Sequence, residues 1–421
     1  MNKVKIGVVG LGQRGTDLIE NSILKMQDVE IVAVCDEYED RYKNAAELVN
    51  KAKGYVPKGT ANYRELVEMS EIEAVIVSTS WETHVEIAVA AMEAGKYVGI
   101  EAGGAYSIED CWELVRTSEK TGMPCMLLEN CCYTRREMMC LNMAKKGIFG
   151  EIVHCEGGYH HDLRYEISFG EENRHYRLRN YRLRNCENYP THEIGPIAKI
   201  LDINRGNRML SLVSVASKSV ALNDYASFKD GVNPKLKDTR FAQGDVVTTT
   251  IRCAGGETIT LTLDTTLPRT YSRGFNIHGT KAYFEEATDS VFMDIANDFE
   301  GDVDWGKFDW AHAKENADAY AEKFDHPIWK RFANEKIEGG HCGGDWLVLR
   351  AFFESVAQRA DVPIDVYDAA AWMCITTLSE DSVAMGGHPV AIPDFTRGKW
   401  IKPKKQTLVE TYRLDKIPDI E

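Results

Sequence analysis

The chain has 421 residues, 44% hydrophobic and 27% charged, enough for two or three domains with full cores. Its 50 basic and 65 acidic side chains leave a net charge of −15, which repels phosphate backbones and anionic lipid and argues against nucleic-acid and membrane partners. The opening MNKVKIGVVG enters a strand without an export leader, no run of 18 apolar residues occurs, and the eleven cysteines form no CxxC pair, so a cytoplasmic protein with reduced thiols is expected.

In chain order, residues 4–9 are apolar except for Lys5, as in a strand buried on both faces. Further strands are predicted at 31–35, 74–78, 97–100 and 125–128, with helices at 14–23, 85–94 and 108–120 between them. Gly95 and Gly122 stand where helix C-caps belong. This alternation predicts an α/β unit with a doubly wound parallel sheet over residues 1–128. After Glu129 the rhythm changes. A helix at 135–146 leads to a strand at 152–159, and residues 165–190 are polar and rich in Arg, Asn and Tyr. From 209 to 293 the pattern is β, with hairpins around Gly255-Gly256 and Gly279-Thr280. Residues 297–320 show no clear period, and helices at 346–358 and 367–385 close the chain. Residues 129–421 thus read as an α+β domain with an open, mainly antiparallel sheet.

Gly10-Leu11-Gly12-Gln13-Arg14-Gly15 fits GxGxxG in the required place, after a buried strand and at the opening of a helix. Gly10 allows the tight turn, Gly12 lets backbone approach a pyrophosphate at the helix N-terminus, and Gly15 lets helix and strand pack closely. Asp36 ends the second strand, where a carboxylate accepts ribose hydroxyls. With Glu37 it repels a 2′-phosphate, which favours NAD over NADP on a Rossmann domain. The stretch Ser78-Thr79-Ser80-Trp81-Glu82-Thr83-His84 follows the strand at 74–78, at the crevice edge where such sheets bind ligands. Ser80, Trp81 and His84 are therefore cofactor candidates. The alternatives are a helix-capping role for Ser80 or Thr83 and a first-turn helical role for His84.

These residues resemble the Gfo/Idh/MocA family of nicotinamide-dependent sugar oxidoreductases. In that family a Glu-Lys-Pro motif follows the strand matching 97–100, and its Lys assists proton transfer at the oxidised hydroxyl. Here Glu101-Ala102-Gly103 stands in its place, so Glu101 remains a cofactor-site candidate and the Lys is missing. The stretches Gly157-Gly158-Tyr159-His160-His161-Asp162-Leu163-Arg164, Asn188-Tyr189-Pro190-Thr191-His192-Glu193-Ile194-Gly195-Pro196, Asn204-Arg205-Gly206-Asn207-Arg208 and Glu129-Asn130 resemble glycoside hydrolase family 109. That resemblance implies an NAD-dependent glycosidase, known chiefly as an α-N-acetylgalactosaminidase. It carries the family's active-site residues onto Glu129, Tyr159, Arg177, Tyr189, His192 and Tyr271.

The implied reaction oxidises the sugar C3 hydroxyl, which acidifies the C2 proton. The aglycone then leaves C1 by elimination, water adds back, and C3 is re-reduced. Tyr189 and His192 are assigned to proton transfer at C2 and C3, Glu129 and Tyr159 to hydrogen bonding or acid–base work near C1, and Arg177 to a hydroxyl or acyl group. An ordinary NAD-dependent sugar or inositol dehydrogenase is the alternative, and the missing Lys argues against it. His154, His160, His161, His175 and His192 invite a metal reading. Adjacent strand residues 160 and 161 face opposite sides and the chemistry needs no metal, so none is expected. Arg174, Arg177, Arg179, Arg182 and Arg184 read either as a salt-bridged surface loop or as a lid over the sugar pocket. The expected partner is a small glycoside or sugar, and exposed sheet in this domain type predicts a homo-oligomer by analogy.

Overall fold

The computed structural model describes residues 3–293, 315–335 and 340–415. The expectation for 297–320 falls largely outside them. Six strands, β1 (Val4–Val9), β2 (Val29–Cys35), β3 (Lys58–Thr60), β4 (Ala74–Val77), β5 (Tyr97–Ile100) and β6 (Cys125–Leu127), form one sheet in the order β3-β2-β1-β4-β5-β6. Every pairing in it is parallel. The order reverses between β1 and β4, which opens a crevice at their carboxyl ends. β4 and β5 are buried throughout, as strands covered on both faces by helices must be.

The second sheet has eight strands: β7 (Ile152–His160), β8 (Met209–Ala216), β9 (Val246–Cys253), β10 (Thr258–Asp264), β11 (Asn276–Gly279), β12 (Ala282–Glu285), β13 (Ser290–Met293) and β14 (Val390–Ala391). Their order is β13-β12-β11-β7-β10-β9-β8-β14, and only β7 with β10 is parallel. Alternation is strict on β10: Ile259, Leu261 and Leu263 point into the core while the threonines between them face outward. The helix Pro190–Ile200 packs on the inner face, over β7 and β10. The β pattern at 209–293 is interrupted by a helix, Ala221–Phe228, and the polar 165–190 stretch holds two more, Arg164–Ser168 and Arg177–Leu183.

Two C-terminal helices, Gly344–Gln358 and Val366–Ala384, return to the first sheet. Leu127 N–H donates to the Ile364 carbonyl and Ala105 N–H to the Met373 carbonyl. One continuous apolar core therefore runs from Ile6 through Trp372 to Ile259. Among the described residues, no helix is long and apolar enough to cross a membrane.

Candidate active site

The glycine turn sits at the β1/β4 switch point. Gly10 has φ +91°, and a Cβ there would meet Ser78 and Thr79 backbone at 2.5 Å, so only glycine fits. Ser78 Oγ donates to the Gly10 carbonyl at 2.7 Å and locks the turn to β4. Gly12 caps the helix Gln13–Asn21, and no side chain takes up the free N–H groups of its first turn. Gly12, Gln13 and Arg41 line an open cleft of about 380 Å³. Asp36, at the end of β2, accepts the Leu11 N–H at 2.7 Å and the Tyr38 N–H at 3.0 Å, and two such bonds leave a carboxylate further acceptor capacity for ribose hydroxyls. These features fit a dinucleotide: uncapped amides for a pyrophosphate and a carboxylate beside them.

Three cofactor candidates have other partners. Arg14 makes a bidentate pair with Asp345 at 2.8 and 2.9 Å and reaches Glu101 Oε1 at 2.9 Å. Asn130 donates to the same Asp345 at 2.7 Å, and His341 Nδ1 lies 2.7 Å from it. Burial opposes the charge on Asp345, but the bonds from Arg14 and His341 hold its carboxyl far below the usual range. Arg14 and Glu101 thus tie the glycine turn to the C-terminal helices. His84 is 1% exposed, and its Nε2 lies 2.9 Å from the Thr79 carbonyl. Burial depresses its pKa to about 4, so the ring rests neutral against the Thr79 carbonyl. Ser80 and Thr83 do not cap: their helix starts carry no side-chain bond.

Trp81 is buried, its ring against Gly103 and 4.7 Å from Tyr176. Together with buried Ala102 it fills the region where the resemblance places a lysine. Next to it lies an aromatic cluster. Tyr189 stands 5.7 Å from Trp81, 4.6 Å from Tyr159 and 4.7 Å from His192, ring centre to ring centre. Tyr189 and His192 share the start of the helix Pro190–Ile200, which Thr191 anchors by accepting the Gly103 N–H at 3.2 Å. The Arg177 guanidinium lies over both the Trp81 and Tyr189 rings, at 5.1 and 5.0 Å, and pairs with Glu166 at 2.6 Å. Tyr159 Oη is 3.1 Å from His161 Nδ1. Tyr271 is 50% exposed and lies at the rim, edge-on to Tyr159 and His161.

Glu129 is 0% exposed, and its Oε1 lies 2.7 Å from His192 Nδ1. Burial pushes its pKa up, but His192 more than offsets this and the net shift is down, so it is a carboxylate. The carboxylate expected to work near C1 thus stands behind His192, with Oε1 on the imidazole. The approach depends on Gly195, where a Cβ would lie 2.8 Å from Glu129 Cγ. Burial pushes the Tyr159 phenol up to about 12 and Tyr189 well above its ordinary value, so both hold their protons at rest. Glu129, Cys131 and His192 also bring possible metal-ligand atoms within 4.8 Å, but Arg273 Nη1 sits 2.9 Å from Cys131 Sγ and opposes a cation there.

The Arg-rich run is salt-bridged from end to end: Arg174 with Asp40, Arg177 with Glu166, Arg179 with Glu82, Arg182 with Glu171 and Arg184 with Glu380. Arg177 alone reaches the aromatic cluster. The pairs to Asp40 and Glu82 strap this segment across the mouth of the first sheet. Sequence reasoning missed one further feature. Glu187 and Glu193 are both fully buried beneath Tyr189 and His192, and no N–H or O–H of another residue meets Glu187 Oε2 or either Glu193 oxygen in good geometry. Burial raises Glu187 to about 7, and burial with the neighbouring Glu187 raises Glu193 well above its ordinary value.

Residues 133–402 match the family described as glycosyl hydrolase 109, C-terminal domain, and residues 4–128 match the oxidoreductase family with an NAD-binding Rossmann fold. A Stenotrophomonas maltophilia protein named glycosyl hydrolase family 109 protein is 38% identical over 427 aligned residues, 96% of this chain and 91% of that one. The chain belongs to glycosyl hydrolase family 109. An α-N-acetylgalactosaminidase of Tannerella forsythia is also 38% identical to this family 109 chain, over 94% of it and 87% of the relative. Among solved structures, scyllo-inositol dehydrogenase from Lactobacillus casei with bound NAD(H) superposes with a TM-score of 0.63 at 14% identity, covering 93% and 99% of the two chains. Levoglucosan dehydrogenase in complex with NADH gives 0.63 at 18%, covering 93% and 100%. The fold is thus that of the Gfo/Idh/MocA oxidoreductases, the cofactor is NAD, and the family 109 chain is an NAD-dependent glycoside hydrolase.

Proposed function

We propose that this enzyme cleaves α-N-acetylgalactosaminides or closely related glycosides by transient oxidation at C3, elimination across C1–C2, water addition and re-reduction. The observation that carries the reading is the buried Glu129–His192 pair set against Tyr189 and Tyr159, where a simple dehydrogenase would use a lysine and this chain has Ala102. Bound NAD supplies the hydride acceptor and returns the same hydride. Glu129 occupies His192 Nδ1 and stabilises the imidazolium, which leaves Nε2 to take the C2 proton. Tyr189, set between Trp81, Tyr159 and His192, exchanges the proton of the C3 oxygen. Tyr159, kept neutral by burial and bonded to His161, gives a proton to the departing glycosidic oxygen. Arg177 and the rim residue Tyr271 border the substrate, and Trp81 shields the nicotinamide side from water.

On this reading residues 1–128 form the cofactor domain and 129–421 the substrate domain. Ten of the eleven cysteines are buried and all are free, which supports a reducing, cytoplasmic setting. The open outer face of the second sheet, with Thr248, Thr250 and Arg252 exposed, supports assembly as a homo-oligomer. The test is incubation with NAD+ and nitrophenyl α-N-acetylgalactosaminide, with nitrophenolate and NADH read separately. Nitrophenolate without accumulating NADH is expected. NADH with little nitrophenolate would make the enzyme a sugar dehydrogenase.

A further inference from the structure

The histidines that suggested a metal in the sequence do not converge, but His154 finds a different set. His154 and Glu156 lie two residues apart on β7, so both stand on one face of the strand. That face is the outer one: Cys155 between them is buried, and Gly157 abuts the helix Pro190–Ile200 at the Glu193 carbonyl. In the antiparallel register with β11, His278 is the direct partner of His154, and Asn276 of Glu156. The two imidazole rings lie 5.3 Å apart, and His154 Nε2 is 3.6 Å from Glu156 Oε1. The ligand atoms of His154, Glu156 and His278 all fall within 4.8 Å of one another.

The surroundings orient each donor. His154 Nδ1 lies 2.8 Å from the Thr258 hydroxyl on β10, which fixes the ring and leaves Nε2 toward Glu156. Asn276 Nδ2 donates to Glu156 Oε2 at 2.5 Å, so Oε1 is the free oxygen. His278 Nε2 is buried and has no hydrogen-bond partner.

We propose that His154, Glu156 and His278 form a site for a divalent transition ion, Zn2+ above all, that clamps β7 to β11 on the face opposite the active-site crevice. Two nitrogens and one carboxylate oxygen suit zinc and its borderline neighbours and not Mg2+ or Ca2+, which require oxygen sets. A tetrahedral ion with bonds of about 2.0–2.2 Å sets its donors about 3.4 Å apart, so one pair is already in place and the third donor needs only a small side-chain rotation. Three protein ligands leave a fourth position for water. Tyr159 lies three residues beyond Glu156 with its side chain on the inner face, so the clamp stiffens the strand that carries an active-site residue without entering the site.

The test uses the full-length protein, freed of metal with a chelator and titrated with Co2+ and then Zn2+, followed by absorption and calorimetry. One ion per chain is expected, with visible d–d bands and no thiolate charge-transfer band. His154→Ala and His278→Ala, and the milder His278→Gln, should each weaken binding at least about tenfold while leaving the unfolding midpoint in chelator unchanged. His192→Ala and Cys131→Ser should bind the ion as the parent does. Stoichiometric binding that survives in the His154 and His278 variants overturns the proposal. So does loss of binding in the His192 or Cys131 variant, which would put the ion in the crevice, and so does a failure of the parent chain to bind either ion.

Discussion

Glu193→Gln tests whether a buried carboxylic-acid pair underlies the active-site helix. Glutamine keeps the shape of the side chain and offers Glu187 an N–H in place of the Glu193 carboxyl O–H. In the folded protein burial raises both carboxyls above their unfolded value, Glu187 to about 7 and Glu193 well above its ordinary range. A carboxyl with a raised folded pKa contributes fully below its unfolded pKa and loses stability as pH climbs toward the folded one. Between about pH 5 and about pH 7 the folded chain therefore holds the Glu187 proton that the unfolded chain has released. That costs about 1.4 kcal/mol per pH unit, or roughly 3 kcal/mol across the window. Glu193, raised as well, adds to the loss. Scanning calorimetry at a series of pH values should show the parent falling steeply from pH 5 to pH 7, the Glu193→Gln variant falling about half as steeply, and the Glu187→Gln/Glu193→Gln double variant nearly flat. Parallel curves for parent and double variant would refute the reasoning, because no proton would then be trapped beneath Tyr189 and His192.

Glu129→Gln and His192→Ala should each lower kcat about 10²–10⁴-fold while NAD binding, followed by fluorescence titration, stays as in the parent. Gly195→Ala should push Glu129 off His192; the overpacking costs roughly 1–3 kcal/mol, seen as a lower unfolding midpoint together with lost turnover. Asp345→Ala should remove the bidentate partner of Arg14 and leave it with Glu101 alone, at a cost of roughly 1–3 kcal/mol, seen in the unfolding midpoint and in weaker NAD affinity, since Arg14 belongs to the glycine turn. Arg177→Met should raise KM more than it lowers kcat, checked by initial rates over a range of glycoside concentrations.

What the sequence makes legible is what local pattern encodes. The β4 and β5 strands, their glycine turn and the hairpin of β9 and β10 follow from short-range periodicity and turn chemistry. Glu129, Tyr159, Tyr189 and His192 lie in long motifs, and the fold brings all four to one cluster. The remainder depends on partners distant in the chain. The helix Arg177–Leu183 shows no apolar stripe because its arginines are satisfied by Glu166, Glu82 and Glu171. Arg14 reads as a cofactor contact until Asp345, 331 positions later, is seen to take both its nitrogens. Glu187 and Glu193 look like surface acids in a polar stretch, and nothing local shows that β7 and β10 cover them. The helix Glu39–Lys53 buries only Ala45, Ala46 and Val49, a face too narrow to stand out as a periodic apolar stripe. His84 is placed in the core by a single carbonyl, a contact that spacing cannot reveal.

The central claim is that the glycosidic bond breaks by elimination after C2 is deprotonated. Hydrolysis of nitrophenyl α-N-acetylgalactosaminide in D2O, with mass spectrometry and NMR of the released sugar, tests it most directly. The account predicts deuterium at C2 of the product, lost when His192 is replaced, and no net NADH. A released sugar that keeps its original hydrogen at C2 would mean direct displacement at C1, and the redox role assigned to this site would be wrong.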